Sequence, residues 1–125
     1  MPADDAILEL KLAGTACLKD GKIADARDKY TKALDLDPER QHTEAHIILA
    51  NRALTQLKLS SPAECKADCT AALKLNPRYG KALFRRAQAS EALGALPDAF
   101  QDVRELMRLE PSNKEAQALA GKLKR

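Results

Sequence analysis

Residues 80–113, GKALFRRAQASEALGALPDAFQDVRELMRLEPSN, close on Leu109-Glu110-Pro111, and the same cadence, Leu75-Asn76-Pro77, falls 34 residues earlier. A third copy, Leu36-Asp37-Pro38, stands 39 residues before that one, so a 34-residue period needs five extra residues after Pro38. The polar segment 39–43 supplies them, and surface loops absorb insertions of this size cheaply. Units at 7–40, 46–79 and 80–113 then align their small residues: Gly14, Ala53 and Ala87 at position eight, and Ala26, Cys65 and Ala99 at position twenty. Position 24 carries Tyr30, Cys69 and Val103, and position 27 carries Ala33, Ala72 and Leu106. Small residues recurring where two helices must approach closely are a packing signature.

Each unit reads as two helices, because apolar residues recur at i, i+3, i+4 and i+7 in both halves, with a break between them. The breaks are Asp20-Gly21, Ser60-Ser61-Pro62 and the stretch from Gly94 to Pro97. Ser61 is expected to cap the helix that Pro62 opens. The map is helices near 5–20, 23–36, 42–59, 62–75, 78–93 and 97–109, with a seventh near 112–124. That last segment is polar on one side, with Ala116, Leu119, Ala120 and Leu123 on the other.

Length and composition agree with this reading. The 125 residues make one domain, 1–125, and an apolar share of 45% with 3% aromatics and no tryptophan leaves Leu and Ala to fill a close-packed helical interior. Lys and Arg total 21 against 18 Asp and Glu, a net of +3 too small and interspersed for nucleic-acid binding. Glu9 and Lys11 interrupt the apolar stretch near the start, so neither a membrane span nor a signal-peptide core is expected, and the expected address is cytoplasmic or nuclear, cytoplasmic before nuclear. Cys17, Cys65 and Cys69 are an odd set that suits a reducing compartment, and they are read as packing thiols because no third or fourth ligand stands at zinc spacing.

Catalytic readings fall away. His42 and His46 are one helical turn apart, but Glu44 sits about 160° from His46 around a helix and cannot share a ligand face, so the pair is read as solvated. No glycine-rich phosphate loop and no nucleophile elbow occur, and no catalytic residue, metal or cofactor is expected.

Small residues at positions eight, twenty and 27 with a terminal proline resemble the tetratricopeptide repeat, over nearly the whole chain. The family's large aromatic at position four is replaced by Leu10, Leu49 and Leu83, and position eleven carries Cys17, Gln56 and Ser90. The resemblance implies an all-α, right-handed helical solenoid of three helix pairs, closed by the seventh helix as a lid. Core contacts are expected at positions four, seven, eight and eleven of each first helix. The stripe at positions two, five, six and nine then lines the family's concave groove: Leu8, Lys11, Leu12 and Thr15, then Ile47, Ala50, Asn51 and Leu54, then Lys81, Phe84, Arg85 and Gln88. Cations converge there with no sequence-local acid on the same stripe, an arrangement that a bound carboxylate would relieve.

Lys11-Leu-Ala-Gly14-Thr15, Asn51-Arg52-Ala53 and Lys81-Ala-Leu-Phe-Arg85 sharpen the likeness to the dicarboxylate-clamp subgroup found in co-chaperones of the 90-kDa and 70-kDa heat-shock chaperones. By that resemblance Lys11 and Asn51 hold the terminal main-chain carboxylate of a Glu-Glu-Val-Asp tail, and Lys81 and Arg85 hold the Asp side chain. Thr15 is the departure. A short hydroxyl replaces an amide of longer reach, and a hydrogen bond to a charged group is worth about 1.5–3 kcal/mol, so the tail contact is weakened or altered at this point. Lys19 and Lys58 are accessory candidates for the upstream glutamates, Leu12, Ala50, Leu54 and Phe84 for the valine, and Gln88 completes the stripe. The third unit also resembles co-chaperones that carry an armadillo-like myosin-binding region, for which this chain has no room, implying an isolated domain or a fragment. A general scaffold that binds a folded partner through its outer helices stays open beside the tail-binding adaptor.

Overall fold

The computed structural model describes residues 2–124, with side chains from Asp4 onward. Seven helices follow one another: α1 (Pro2–Lys19), α2 (Ile23–Asp35), α3 (Ala45–Lys58), α4 (Pro62–Leu75), α5 (Gly80–Ala92), α6 (Leu96–Leu109) and α7 (Lys114–Leu123). Each packs on its neighbours in the chain, and α3 also touches α1 and α5, so the first helices of the three units form a continuous layer. The described residues form an all-α helical-repeat solenoid.

The turn inside each unit is built the same way three times. Position fifteen takes positive φ in Gly21 (79°), Ser60 (62°) and Gly94 (77°). The next amide reaches back five residues, Lys22 to the Cys17 carbonyl, Ser61 to Gln56 and Ala95 to Ser90, at 2.8, 2.7 and 2.8 Å. This left-handed closure satisfies carbonyls that the helix end would otherwise orphan. Ser61 does stand at the N-cap of α4 with Pro62 behind it, yet its side chain makes no capping bond. Its backbone, at φ −117° and ψ 66°, departs from the extended geometry that aims a capping oxygen at the first turn.

Positions eight and 24 change size together where the paired helices meet. Gly14 faces Tyr30 so closely that a Cβ there would lie 2.7 Å from the Tyr30 ring. The later units carry Ala53 with Cys69 and Ala87 with Val103, all fully buried. Glycine in a helix interior costs about 1 kcal/mol against alanine, a cost offset here by burial of the whole tyrosine. At the far end α7 lays Ala116, Leu119 and Ala120 onto the last pair and covers Ala87, Ala99 and Val103. Its start is sharper than the sequence suggests, since Asn113 Oδ1 accepts from the Ala116 amide at 2.9 Å.

The five-residue insertion also delays α3. Asp37 accepts from the amides of Gln41 (2.8 Å) and His42 (3.0 Å), and His42 Nδ1 accepts from the Glu44 amide at 3.0 Å. The helix therefore opens at Ala45 rather than at His42. The two histidines are thus not a merely solvated pair: His42 braces the loop, and His46 meets Tyr79 edge-on with ring centroids 5.0 Å apart.

Candidate functional site

The layer of α1, α3 and α5 carries the stripe. On α1, Lys11 and Thr15 are half-buried, Leu12 is 65% exposed and Lys19 is exposed. On α3, Asn51 and Leu54 are half-buried and Lys58 is exposed. On α5, Lys81 is exposed while Phe84, Arg85 and Gln88 are half-buried.

Lys11 and Arg85, from α1 and α5, act on the same groups. Burial pushes the phenols of Tyr30 and Tyr79 above their ordinary pKa, and the positive charges of Lys11 and Arg85 both oppose that rise. Arg85 also donates from Nη1 to the Ala50 carbonyl at 3.0 Å, which pins the guanidinium across α3. Among the described residues neither Lys81 nor Arg85 has a carboxylate within ion-pair distance. One wall of the groove therefore carries two cations without a carboxylate partner among the described residues.

Three expectations need correction. Ala50 is fully buried beneath Arg85, so its methyl group lines no open surface. Lys11 does have an acid partner: its Nζ forms an ion pair with Glu44, which the sequence stripe omitted because it lies 33 residues away, just past the insertion. Position seven is not uniformly core, since Arg52 and Arg86 stand there, half-buried and ion-paired.

Thr15 shows why it departs from the subgroup. Its hydroxyl lies 3.1 Å from the Lys11 carbonyl and 3.0 Å from the Tyr30 hydroxyl. Donating to the first and accepting from the second, it satisfies a phenol at the bottom of the groove that has no exposed surface.

Sequence reasoning missed a second charged motif on the other side of these helices. Arg52 donates through Nε and Nη2 to both oxygens of Asp68 (2.7 and 2.8 Å) and through Nη1 to Thr31 of the preceding unit (3.3 Å). Arg86 repeats the arrangement with Asp102 (2.7 and 2.7 Å) and Thr70 (3.2 Å). The signal was available as Arg at position seven and Asp at position 23 in two consecutive units, with Ala13 and Lys29 there in the first. A hollow of about 820 Å³ adjoins this motif, lined by Leu73, Pro77, Leu83, Glu105 and three arginines. Two of the three, Arg86 and Arg108, are already paired.

No protein-family model matches the chain. Human RNA polymerase II-associated protein 3 is 38% identical over 123 residues, covering 92% of this chain and 18% of that protein. The chain thus spans less than a fifth of the length of the first curated relatives it matches. Among solved structures, the first TPR of Spaghetti (RPAP3) bound to the HSP90 peptide SRMEEVD has a TM-score of 0.89 at 36% identity, covering 97% of this chain and 92% of that one. The second TPR domain of human RPAP3, in complex with the HSP70 peptide SGPTIEEVD, has a TM-score of 0.89 at 33% identity and 98% coverage of both chains. Agreement of the helix-pair architecture, the recurring turn and near-complete mutual coverage at this identity means that the chain belongs to the tetratricopeptide-repeat family.

Proposed function

We propose that this chain is a peptide-binding adaptor of the co-chaperone kind, which takes the acidic C-terminal tail of a 90-kDa or 70-kDa heat-shock chaperone on the face of α1, α3 and α5. The observation that carries the proposal is the pair of cations on α5, Lys81 and Arg85, with no internal carboxylate among the described residues, in a fold whose similar structures hold peptides ending in EEVD. A carboxylate between an ammonium and a guanidinium receives charge-assisted hydrogen bonds stronger than neutral ones. Lys81 and Arg85 take the side chain of the terminal aspartate, and Lys11 with Asn51 takes the main-chain carboxylate. Phe84, Leu54 and Leu12 offer apolar surface to the valine, Lys19 and Lys58 face the upstream glutamates, and Gln88 borders the groove. The cytoplasm is the address proposed for the chain, since an odd set of three cysteines, Cys17, Cys65 and Cys69, suits a reducing compartment. Among the described residues no helix is long and apolar enough to cross a membrane.

Titration of a labelled peptide ending in Glu-Glu-Val-Asp across a salt series tests the reading. Saturable binding that weakens with salt and is lost when the final Asp becomes Ala supports it. Equal binding of the two peptides moves the function to a scaffold that docks a folded partner.

A further inference from the structure

The contact between Lys11 and Glu44 places a carboxylate of the chain itself where the proposed ligand's carboxylate would go. Both side chains are only partly exposed, at 22% and 31%. Glu44 is not at the end of a wandering loop. The insertion that leads into it is braced along its length: Arg40, at φ 54°, donates to the carbonyls of Leu34 (2.8 Å) and Asp37 (2.6 Å). Asp37 holds the amides of Gln41 and His42, and the His42 imidazole holds the Glu44 amide. Glu44 is also the residue whose carbonyl receives the first backbone bond of α3, from Ile48 at 3.0 Å. Its carboxylate is therefore delivered to Lys11 by fixed backbone on both sides.

The two halves of the groove differ accordingly. At the α5 end, Lys81 and Arg85 have no carboxylate partner among the described residues. At the α1 end, Lys11 is matched by Glu44, and the Thr15 hydroxyl is committed to the Lys11 carbonyl and Tyr30. An incoming carboxylate meets open cations at one end. At the other it meets a pair that it must break, with the displaced Glu44 charge left nearby to repel it.

We infer that Glu44 is a built-in competitor for the ligand's chain-terminal carboxylate, and that this makes the domain read the ligand's side-chain carboxylate more strongly than its C-terminus. The inference rests on the reading of this face as a tail-binding groove. It makes Glu44 a specificity-determining residue that sets how much a free C-terminus contributes to recognition.

The test is calorimetric titration of the 125-residue chain with one peptide ending in Glu-Glu-Val-Asp, prepared with a free and with an amidated C-terminus, against wild type, Glu44→Gln, Glu44→Ala and Arg85→Ala. Partly exposed ion pairs are modest, so removing Glu44 should tighten the free-acid peptide about three- to tenfold and the amide less than about twofold. Amidation should weaken wild-type binding by no more than about threefold and binding by either Glu44 variant by about tenfold. Circular dichroism confirms that the variants fold. Equal tightening of both peptides would reveal a general charge effect and overturn the inference, as would no tightening, while loss of binding in Arg85→Ala would leave the groove reading intact. Binding indifferent to Arg85→Ala, or no binding by any of the proteins, overturns both.

Discussion

Arg86 lies sixteen residues before Asp102, and its guanidinium meets both carboxylate oxygens at 2.7 Å, as Arg52 meets Asp68 one unit earlier. Each arginine also reaches a threonine of the preceding unit, so one side chain ties its own helix pair together and ties that pair to its neighbour. Asp68 and Asp102 are 7% and 6% exposed, and hydrogen bonding to them raises the pKa of both arginines against the opposing effect of burial. Breaking a buried pair leaves an uncompensated charge, whereas removing both charges removes the penalty too. Arg52→Leu should therefore destabilise the domain by about 3 kcal/mol, and Arg52→Leu with Asp68→Leu by clearly less, as read from urea unfolding. Additive losses would show that the two charges do not act as a unit.

The Thr15–Tyr30 contact carries a second prediction. Thr15→Val keeps the shape of the side chain but leaves the Tyr30 hydroxyl, which is fully buried, without its bond. A stability loss of about 1–2 kcal/mol is expected, and Tyr30→Phe should remove most of it when combined with Thr15→Val. Peptide affinity should change less than about threefold, because the hydroxyl is already occupied inside the protein. A loss of affinity without a loss of stability would make Thr15 a direct ligand.

The parts of this molecule that the sequence revealed are those repeated in register. Three prolines, the small residues at positions eight and twenty, and the breaks at Gly21, Ser60 and Gly94 all recur with the period, so each copy supported the others. Lys81 and Arg85 were legible for the same reason, one turn apart on a helix face set by the repeat frame. What escaped was either outside the frame or dependent on neighbours. Glu44 follows the insertion at the N-cap of α3, outside the repeat frame, and its place beside Lys11 follows from the insertion's own hydrogen bonds and from no periodicity. Ala50 shares its repeat position with Lys11, but α3 is flanked by α1 and α5, and Arg85 closes over it.

Ser60 occupies the left-handed position that Gly21 and Gly94 fill in the other units. A residue with a Cβ is strained there by about 1–2 kcal/mol, offset in part by the greater flexibility that glycine gives the unfolded chain. Ser60→Gly should raise stability by about 0.5–1 kcal/mol, and Gly94→Ala should lower it by about 1 kcal/mol or more. Both effects should appear as shifts in the urea midpoint at constant slope.

Alkaline pH should loosen the fold. Burial raises the pKa of Tyr30 and Tyr79 above the ordinary 10.0, so the folded state binds these protons more tightly than the unfolded state does. The stability from such raised groups is fully present below the unfolded pKa and is lost as pH climbs through the folded one. Unfolding free energy should therefore fall as pH rises above about 10, and Tyr30→Phe should flatten that decline. An unchanged slope in Tyr30→Phe would rule out the phenol as its source.

Lys81 and Arg85 should separate affinity from stability. Lys81 is exposed on the first turn of α5, so Lys81→Ala should leave unfolding within about 0.5 kcal/mol of wild type. Arg85 holds the Ala50 carbonyl, and Arg85→Ala should cost about 1 kcal/mol while the domain stays folded. Each substitution should nevertheless weaken a peptide ending in Glu-Glu-Val-Asp about tenfold or more, because each removes a charged contact to the same carboxylate. The dependence of binding on salt should become shallower in both variants, since one fewer cation faces the ligand. Combined, the substitutions should lose less than the sum of their separate effects, the mark of two donors sharing one acceptor. Wild-type affinity in Lys81→Ala, with an unchanged salt dependence, would place the tail elsewhere and remove the α5 cations from the site.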